Sequence, residues 1–280
     1  CRRVRFAFGV GVNVLKRCVA FVFGLLALPS AGWAGAWTLP SGTGQWLTTL
    51  TAASSTQYFQ QPNSLAPIPR YDKDEVSALI EYGVTDRLTA IIEPGLQHID
   101  IAAPISAERT GLGYTEFGAR YAILENQDRS WVFSGQATLR IPGTTDTSNP
   151  AAIGYTDVES DLRLLLGHSF VLAGLPAFFD VEGAERVRTA GLPSEFRADG
   201  TFGVWATPRW LLLAQSLNVF SQGAGNTNFT GGSYDYEKLQ LSAVYKVTPV
   251  WSLQGGGYVT YAGRNALQEN ALIFGVWRQF

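Results

Sequence analysis

The sequence predicts an all-β chain: a closed antiparallel transmembrane β-barrel of about twelve strands, with short periplasmic turns and longer extracellular loops. Three observations carry that prediction. The chain of 280 residues holds 30 glycines, 12% aromatic residues and no methionine, a mixture that suits strands far better than helices. Segments of alternating polarity recur along its length, each with one apolar and one polar face. Short and long connections between those segments alternate without exception, as in an up-and-down sheet whose two ends meet different surroundings. At 46% hydrophobic and 16% charged the chain has ample apolar material to fold, which excludes disorder.

The first 34 residues read as a secretory signal peptide. Arg2, Arg3, Arg5, Lys16 and Arg17 form a basic start, followed by the apolar stretch from Val19 to Leu28. Pro29 and Ser30 break it, and Gly32, Trp33 and Ala34 present small residues at the two positions that determine cleavage. Cleavage is expected after Ala34, with Ala36 the second choice. The apolar core is about half the ~18 residues that a membrane-spanning helix needs. Both cysteines, Cys1 and Cys18, lie in this segment, so the exported chain is expected to lack disulfides and cysteine chemistry. Without the leader, the basic count falls from 21 to 16 against 23 acidic residues. Affinity for a phosphate backbone needs clustered Lys and Arg, so no nucleic-acid partner is expected.

Strands are predicted at 45–59, 75–84, 87–98, 115–123, 131–141, 157–167, 177–188, 195–205, 209–220, 236–247, 251–261 and 269–280. In the second, Val76, Ala78, Ile80 and Tyr82 share one face, while Glu75, Ser77 and Glu81 share the other. Short joints follow the even strands, at Thr85-Asp86, 125–129, Ala173-Gly174, Thr207-Pro208 and Thr248-Pro249. Longer loops follow the odd ones, at 60–74, 101–113, 142–156, 189–194, 221–235 and 262–268. Residues 35–44 remain as a short periplasmic segment before the first strand.

Polarity separates a barrel from a soluble sandwich. The polar faces carry Glu75, Glu81, Glu93, Gln97, Glu116, Arg120, Arg140, Glu159, Asp161, Arg163, Asp180, Glu182, Arg197 and Lys238, together with Asp157, Arg186, Glu195, Asp199 and Lys246. The apolar faces carry Tyr82, Tyr121, Trp131, Tyr245, Trp251 and Tyr261 near strand ends, where amphipathic rings settle at a membrane interface. In lipid every backbone donor and acceptor must be paired, which a closed barrel achieves. The location expected is therefore the bacterial outer membrane, with lipid and lipopolysaccharide around the barrel. The charged set is expected to line the lumen, either as a structural ion-pair network or as a lining that sets permeation.

Catalytic signals are weak. The two histidines, His98 and His168, fall near strand ends on outward-facing parity, and a histidine there reads as interfacial rather than as a general base. Neither a Gly-x-Ser-x-Gly elbow nor the spacing of a metal site is present, so no enzyme, metal or cofactor is expected. Pro94 stands within the third strand, in Ile92-Glu93-Pro94-Gly95-Leu96. A proline cannot donate to the ladder, and with Gly95 beside it a bulge is expected. Such a gap reads either as a tolerated irregularity or as a lateral window whose inner mouth Glu93 and Gln97 would line.

Three stretches carry a family resemblance: Ala36-Trp37-Thr38-Leu39-Pro40 with Gly42 and Gly44; Glu81-Tyr82-Gly83-Val84-Thr85-Asp86-Arg87-Leu88; and Gly113-Tyr114-Thr115-Glu116-Phe117-Gly118-Ala119-Arg120-Tyr121. The chain resembles the outer-membrane family described as the MetA pathway of phenol degradation, related to the long-chain fatty-acid transporter barrels. The resemblance implies passage of small hydrophobic or aromatic compounds across the outer membrane. It also implies a kinked third strand like that of the fatty-acid transporters. Those transporters carry a sizeable N-terminal plug, whereas only Gly35 to Gly44 precede the first strand here. The final strand, ending in Phe280, looks like the signal read by the barrel-assembly machinery, except that Arg278 sits where that pattern has an apolar or aromatic residue. The alternatives are a closed structural barrel and a lipid-modifying enzyme.

Overall fold

The computed structural model describes residues 35–144, 148–153, 158–189, 191–224 and 233–280. The signal segment and Asp157 lie outside them. Among the described residues the chain is all strand and turn. The segments are β1 (Gly44–Gln61), β2 (Ser64–Thr85), β3 (Leu88–Glu93), β4 (Gly95–Ile101), β5 (Ala107–Leu112), β6 (Tyr114–Glu125), β7 (Trp131–Pro142), β8 (Glu159–Leu172), β9 (Leu175–Val187), β10 (Glu195–Trp205), β11 (Trp210–Ser221), β12 (Asp235–Lys246), β13 (Trp251–Arg264), the two-residue β14 (Ala266–Leu267) and β15 (Asn270–Gln279).

These segments make twelve barrel strands, because β3 and β4 are successive halves of the third strand and β5 and β6 of the fourth, while β14 only extends the edge of β1. Every neighbour is antiparallel, and β1 closes the sheet by pairing with β2 on one side and with β15 on the other, from Gln45↔Gln279 to Ser54↔Asn270. Closure leaves no edge unpaired in the bilayer, the condition that lipid imposes.

The strands outrun the sequence reading at the loop end. Residues 60–74 were expected as a loop, yet β1 and β2 stay paired as far as Gln61↔Ser64. Residues 101–113 were expected as another, and contain β5, paired with β4 from Ile101↔Ala107 to Leu96↔Leu112. Both stretches are too polar outward to show membrane-type alternation, because they stand beyond the apolar belt. That belt is formed by outward Leu50, Leu139, Leu162, Leu164, Leu241 and Leu272, the last 75% exposed. At the short-turn end it is edged by Trp46, Tyr82, Tyr121, Trp131, Trp210 and Trp251, all exposed. Arg278 joins this rim, its guanidinium 5.4 Å from the Trp251 ring centre, which accounts for a cation in the final strand. Phe280 closes the seam through hydrogen bonds between its backbone and that of Gly44.

Pro94 does what a missing donor dictates. Toward β2 the register runs unbroken, from Ile80↔Ile92 to Ser77↔Gly95, and the Pro94 carbonyl accepts from the Ala78 N–H. On the other side, Glu93 faces Glu116 whereas Leu96 faces Leu112, a one-residue change of register. The two strands stay joined there by the Gly113 N–H donating to the Gly95 carbonyl at 2.9 Å. The expected bulge is present.

Candidate functional site

The ladder register itself writes the ion pairs of the lumen. On the inner face it sets Glu116 opposite Arg140 and Arg140 opposite Glu159. One row further, Asp161 faces Arg186 and Arg186 faces Glu195. Opposite charges directly across a ladder attract, and the side chains follow: Arg140 Nε meets Glu116 at 2.6 Å and its Nη1 reaches Glu159. Arg186 meets Asp161 at 3.2 Å. Arg163 holds Glu182, and Asp199 at 3.0 Å. Nearer the short turns, Arg120 pairs with Glu81 at 2.9 Å. Glu81, Glu159, Asp161 and Asp180 are at most 2% exposed.

Of the other residues expected to line the lumen, Glu75 accepts from Gln97 Nε2 at 3.0 Å, and Glu93 stands opposite Glu116 at the bulge. Arg197 has Ala184 and Val219 as its ladder neighbours, and its buried Nε has no acceptor among the described residues. Lys238 belongs to a second cluster, where its Nζ lies 2.6 Å from Glu269 and Lys73 approaches the same carboxylate at 3.6 Å. Four members escaped the sequence reading. Lys73 and Tyr234 fell in stretches read as loops and Glu269 at a strand's first position. Arg188, which bonds Glu159 and Glu195 at 2.9 Å each, was legible by extending the parity of 177–188 by one step.

Most of the charged side chains occupy one side of the interior, mainly β6 to β10, with the Lys73, Lys238 and Glu269 cluster apart from them. The facing wall differs. Leu47, Thr49, Thr51, Leu211, Leu213, Gln215, Gln240, Gln254, Tyr258, Ile273 and Trp277, with Phe178 and Thr201, enclose a cavity of about 240 Å³ that no charged side chain lines. Its polar groups are hydrogen-bonded: Gln240 donates to Gln215 at 2.7 Å, Trp277 Nε1 donates to Gln254 at 3.0 Å, and the Tyr258 hydroxyl donates to Glu269 behind it at 3.2 Å.

Within the segment 35–44 expected to precede the first strand, residues 36–41 form a strap against the charged side at the short-turn end. The Ala36 N–H donates to Asp180 at 2.7 Å and its carbonyl accepts from Ser134 Oγ. The Leu39 N–H donates to Thr89 Oγ1 at 2.8 Å. Arg120 and Arg129 donate to the carbonyls of Trp37 and Thr38 at 3.2 and 2.9 Å, and the Ser41 N–H donates to Asp86 at 2.9 Å. Gly167 leaves room for Trp37, since a Cβ there would stand 2.6 Å from the indole. The indole also meets Phe178 edge-on at 6.0 Å, so Phe178 lies between the strap and the uncharged cavity. No signal in a ten-residue stretch could distinguish a strap from a free tail. At the loop end, Ala151 and Ile153 fold against Ile99 and Ile101, forming an apolar cluster.

The two histidines sit at opposite ends of the barrel wall. His168 stacks on Trp131 at 3.8 Å in the aromatic rim, and His98 Nδ1 meets Thr110 Oγ1 at 2.8 Å.

No protein-family model and no curated protein matches the chain in sequence. Solved structures do match in shape. An outer-membrane channel of Pseudomonas putida F1 superposes with a TM-score of 0.70 at 13% identity, covering 89% of this chain and 99% of that one. The NanC porin matches at 0.50 and 9%, covering 82% and 98%. The β-domain of the Bordetella autotransporter BrkA matches at 0.50 and 14%, covering 85% and 99%. Identities this low speak for the fold alone, and they agree with the closed sheet, the lipid-facing belt and the polar interior: the chain is a twelve-stranded β-barrel of the bacterial outer membrane.

Proposed function

We propose that the barrel is a channel for small hydrophobic or aromatic compounds. The observation that carries this reading is the division of the lumen. Ion pairs saturate one wall, and the strap fills the short-turn end on that same side. The uncharged compartment opposite, lined by Leu, Ile, Phe, Trp, Tyr and amide groups, has a volume of about 240 Å³. An apolar pocket of roughly 150 Å³ accepts a benzene-sized ligand, and a compartment whose walls carry no fixed charge spares an apolar solute the company of ordered water around ions. The likeness to the P. putida channel supports a channel role without bearing on the solute.

Uptake of labelled aromatic or alkyl carbon sources at limiting concentration tests the reading. A strain lacking the gene is expected to take them up more slowly than the complemented strain, whereas a purely structural barrel would leave the rate unchanged. Incubation of the purified protein with labelled phospholipid or lipopolysaccharide is expected to leave both unmodified.

We further propose that the bulge at Pro94 and Gly95 serves as a lateral window to the bilayer, with Glu93 and Gln97 at its inner mouth. The register change between the third and fourth strands supports this. Replacing Pro94 and Gly95 with Val and Thr supplies the missing donor and is expected to lower uptake while leaving the heat-sensitive gel mobility of a folded barrel intact. Uptake equal to wild type would leave Pro94 as a bulge alone.

A further inference from the structure

The carboxylates beside the strap outnumber the cations that bond them. Arg163 is shared by Asp161 at 3.5 Å, Asp199 at 3.0 Å and Glu182. Asp180, 1% exposed, accepts from the Ala36 N–H at 2.7 Å and neighbours Glu182; Arg120 acts on both carboxyls from further off, but no ion pair to Asp180 is found among the described residues. Two neighbouring carboxyls in a confined site ionise together more readily the more cations stand beside them. A methyl group built on Gly35 would stand 3.2 Å from Asp180 Oδ2, so the Gly35 α-carbon lies beside that carboxylate.

We propose that Asp180 takes its ion-pair partner from the chain's own N-terminus: signal processing at the Ala34–Gly35 bond frees an α-ammonium on Gly35 that docks on Asp180 beside Glu182 and locks the strap into the barrel. In that hydrolysis, water supplied through an export peptidase gives its OH to the Ala34 carbonyl and its hydrogen to the Gly35 nitrogen, which then takes a further proton from solvent. The structure distinguishes this bond from the alternative after Ala36. Ala36 is fully buried, its N–H bonds Asp180 and its carbonyl accepts from Ser134, and cleavage there would remove both anchors. The strap is thereby coupled to export, since a chain still carrying its leader has a neutral amide where the charge is needed. The inference stands independently of which solute the barrel passes.

Two measurements test it. Intact mass and N-terminal sequencing of the protein extracted from outer membranes are expected to give Gly35 as the first residue. A mature chain beginning at Trp37 would overturn the proposal while leaving export intact, and an unprocessed chain would overturn both. The second is the rate of α-amine acylation by an activated acetate ester at neutral pH. An α-amine normally titrates near 8, and a neighbouring carboxylate that raises this by one unit lowers the reactive fraction about tenfold. Wild type is expected to react at least about tenfold more slowly than the heat-unfolded chain. D180N, which keeps an acceptor for the Ala36 N–H but removes the charge, is expected to recover much of that rate. E182Q serves the same purpose if D180N does not fold. Burial alone would slow wild type and both variants equally, and that result, or a wild-type rate matching the unfolded chain, would overturn the pairing.

Discussion

Replacing Arg140 with alanine is expected to destabilise the folded barrel by about 3 kcal/mol, because removing one partner of a buried pair strands the other charge. Here two charges are stranded: Glu116, 2.6 Å away, and Glu159, 1% exposed. Arg188 still reaches Glu159 at 2.9 Å, which keeps the expected figure at the low end of the range for such losses. The denaturant midpoint of the detergent- or lipid-folded protein, read by gel mobility without boiling, measures it. Replacing Arg140, Glu116 and Glu159 together with Met or Leu is expected to restore most of the loss, since an apolar set of similar volume often matches a buried ionic one. If the single change has no effect, the charged wall does not hold the barrel and its charges are free to act on solutes.

The second large effect concerns the strap. Exchanging Trp37, Thr38 and Leu39 for Gly, Ser and Gly removes an indole packed against Phe178 and Gly167 and the bond from its Nε1 to the Arg129 carbonyl. Truncating a packed Trp costs about 3–5 kcal/mol, more than a short segment held by single hydrogen bonds of about 1 kcal/mol each can lose and stay seated. Single-channel conductance is expected to rise several-fold, because the vacated half of the mouth is the charged half and admits hydrated ions. Gly167→Leu, which drives a side chain into the space of the indole, is expected to raise conductance in the same direction from the opposite wall. Conductance unchanged in both variants would mean that the strap does not limit the passage.

The barrel was legible in the sequence because the bilayer enforces it residue by residue. Val76, Ala78, Ile80 and Tyr82 alternate with Glu75, Ser77 and Glu81 since one face meets lipid and the other the lumen. That parity also placed Glu116, Arg140, Glu159 and Asp161 on the inside, though not in their pairs, which depend on a register that no single strand contains. Beyond the apolar belt the enforcement ends, and the pattern with it: residues 64–74 and 107–112 are strands with polar outward faces, so they read as loops, and Lys73 was lost with them. Pro94 was legible because a missing N–H is a local fact. The uncharged cavity was not, since Leu47, Leu211 and Trp277 face inward from strands far apart in the chain and look, one at a time, like ordinary apolar residues. The strap needed Gly83 and Gly167 to make room for it, and a glycine in a strand does not name what lies above it.

The most direct measurement is the initial uptake of a labelled monoaromatic hydrocarbon by cells carrying either wild type or Leu213→Trp as their sole copy. Leu213 lines the uncharged cavity and has the uncharged Gly203 and Ser242 as its ladder neighbours, so the larger ring is expected to fill much of the compartment while heat-sensitive gel mobility and outer-membrane abundance stay at wild-type levels. Uptake is expected to fall to that of the strain without the gene. Uptake at the wild-type rate, with equal abundance, would contradict the account, because solute would then be crossing by a route other than the uncharged half of the lumen.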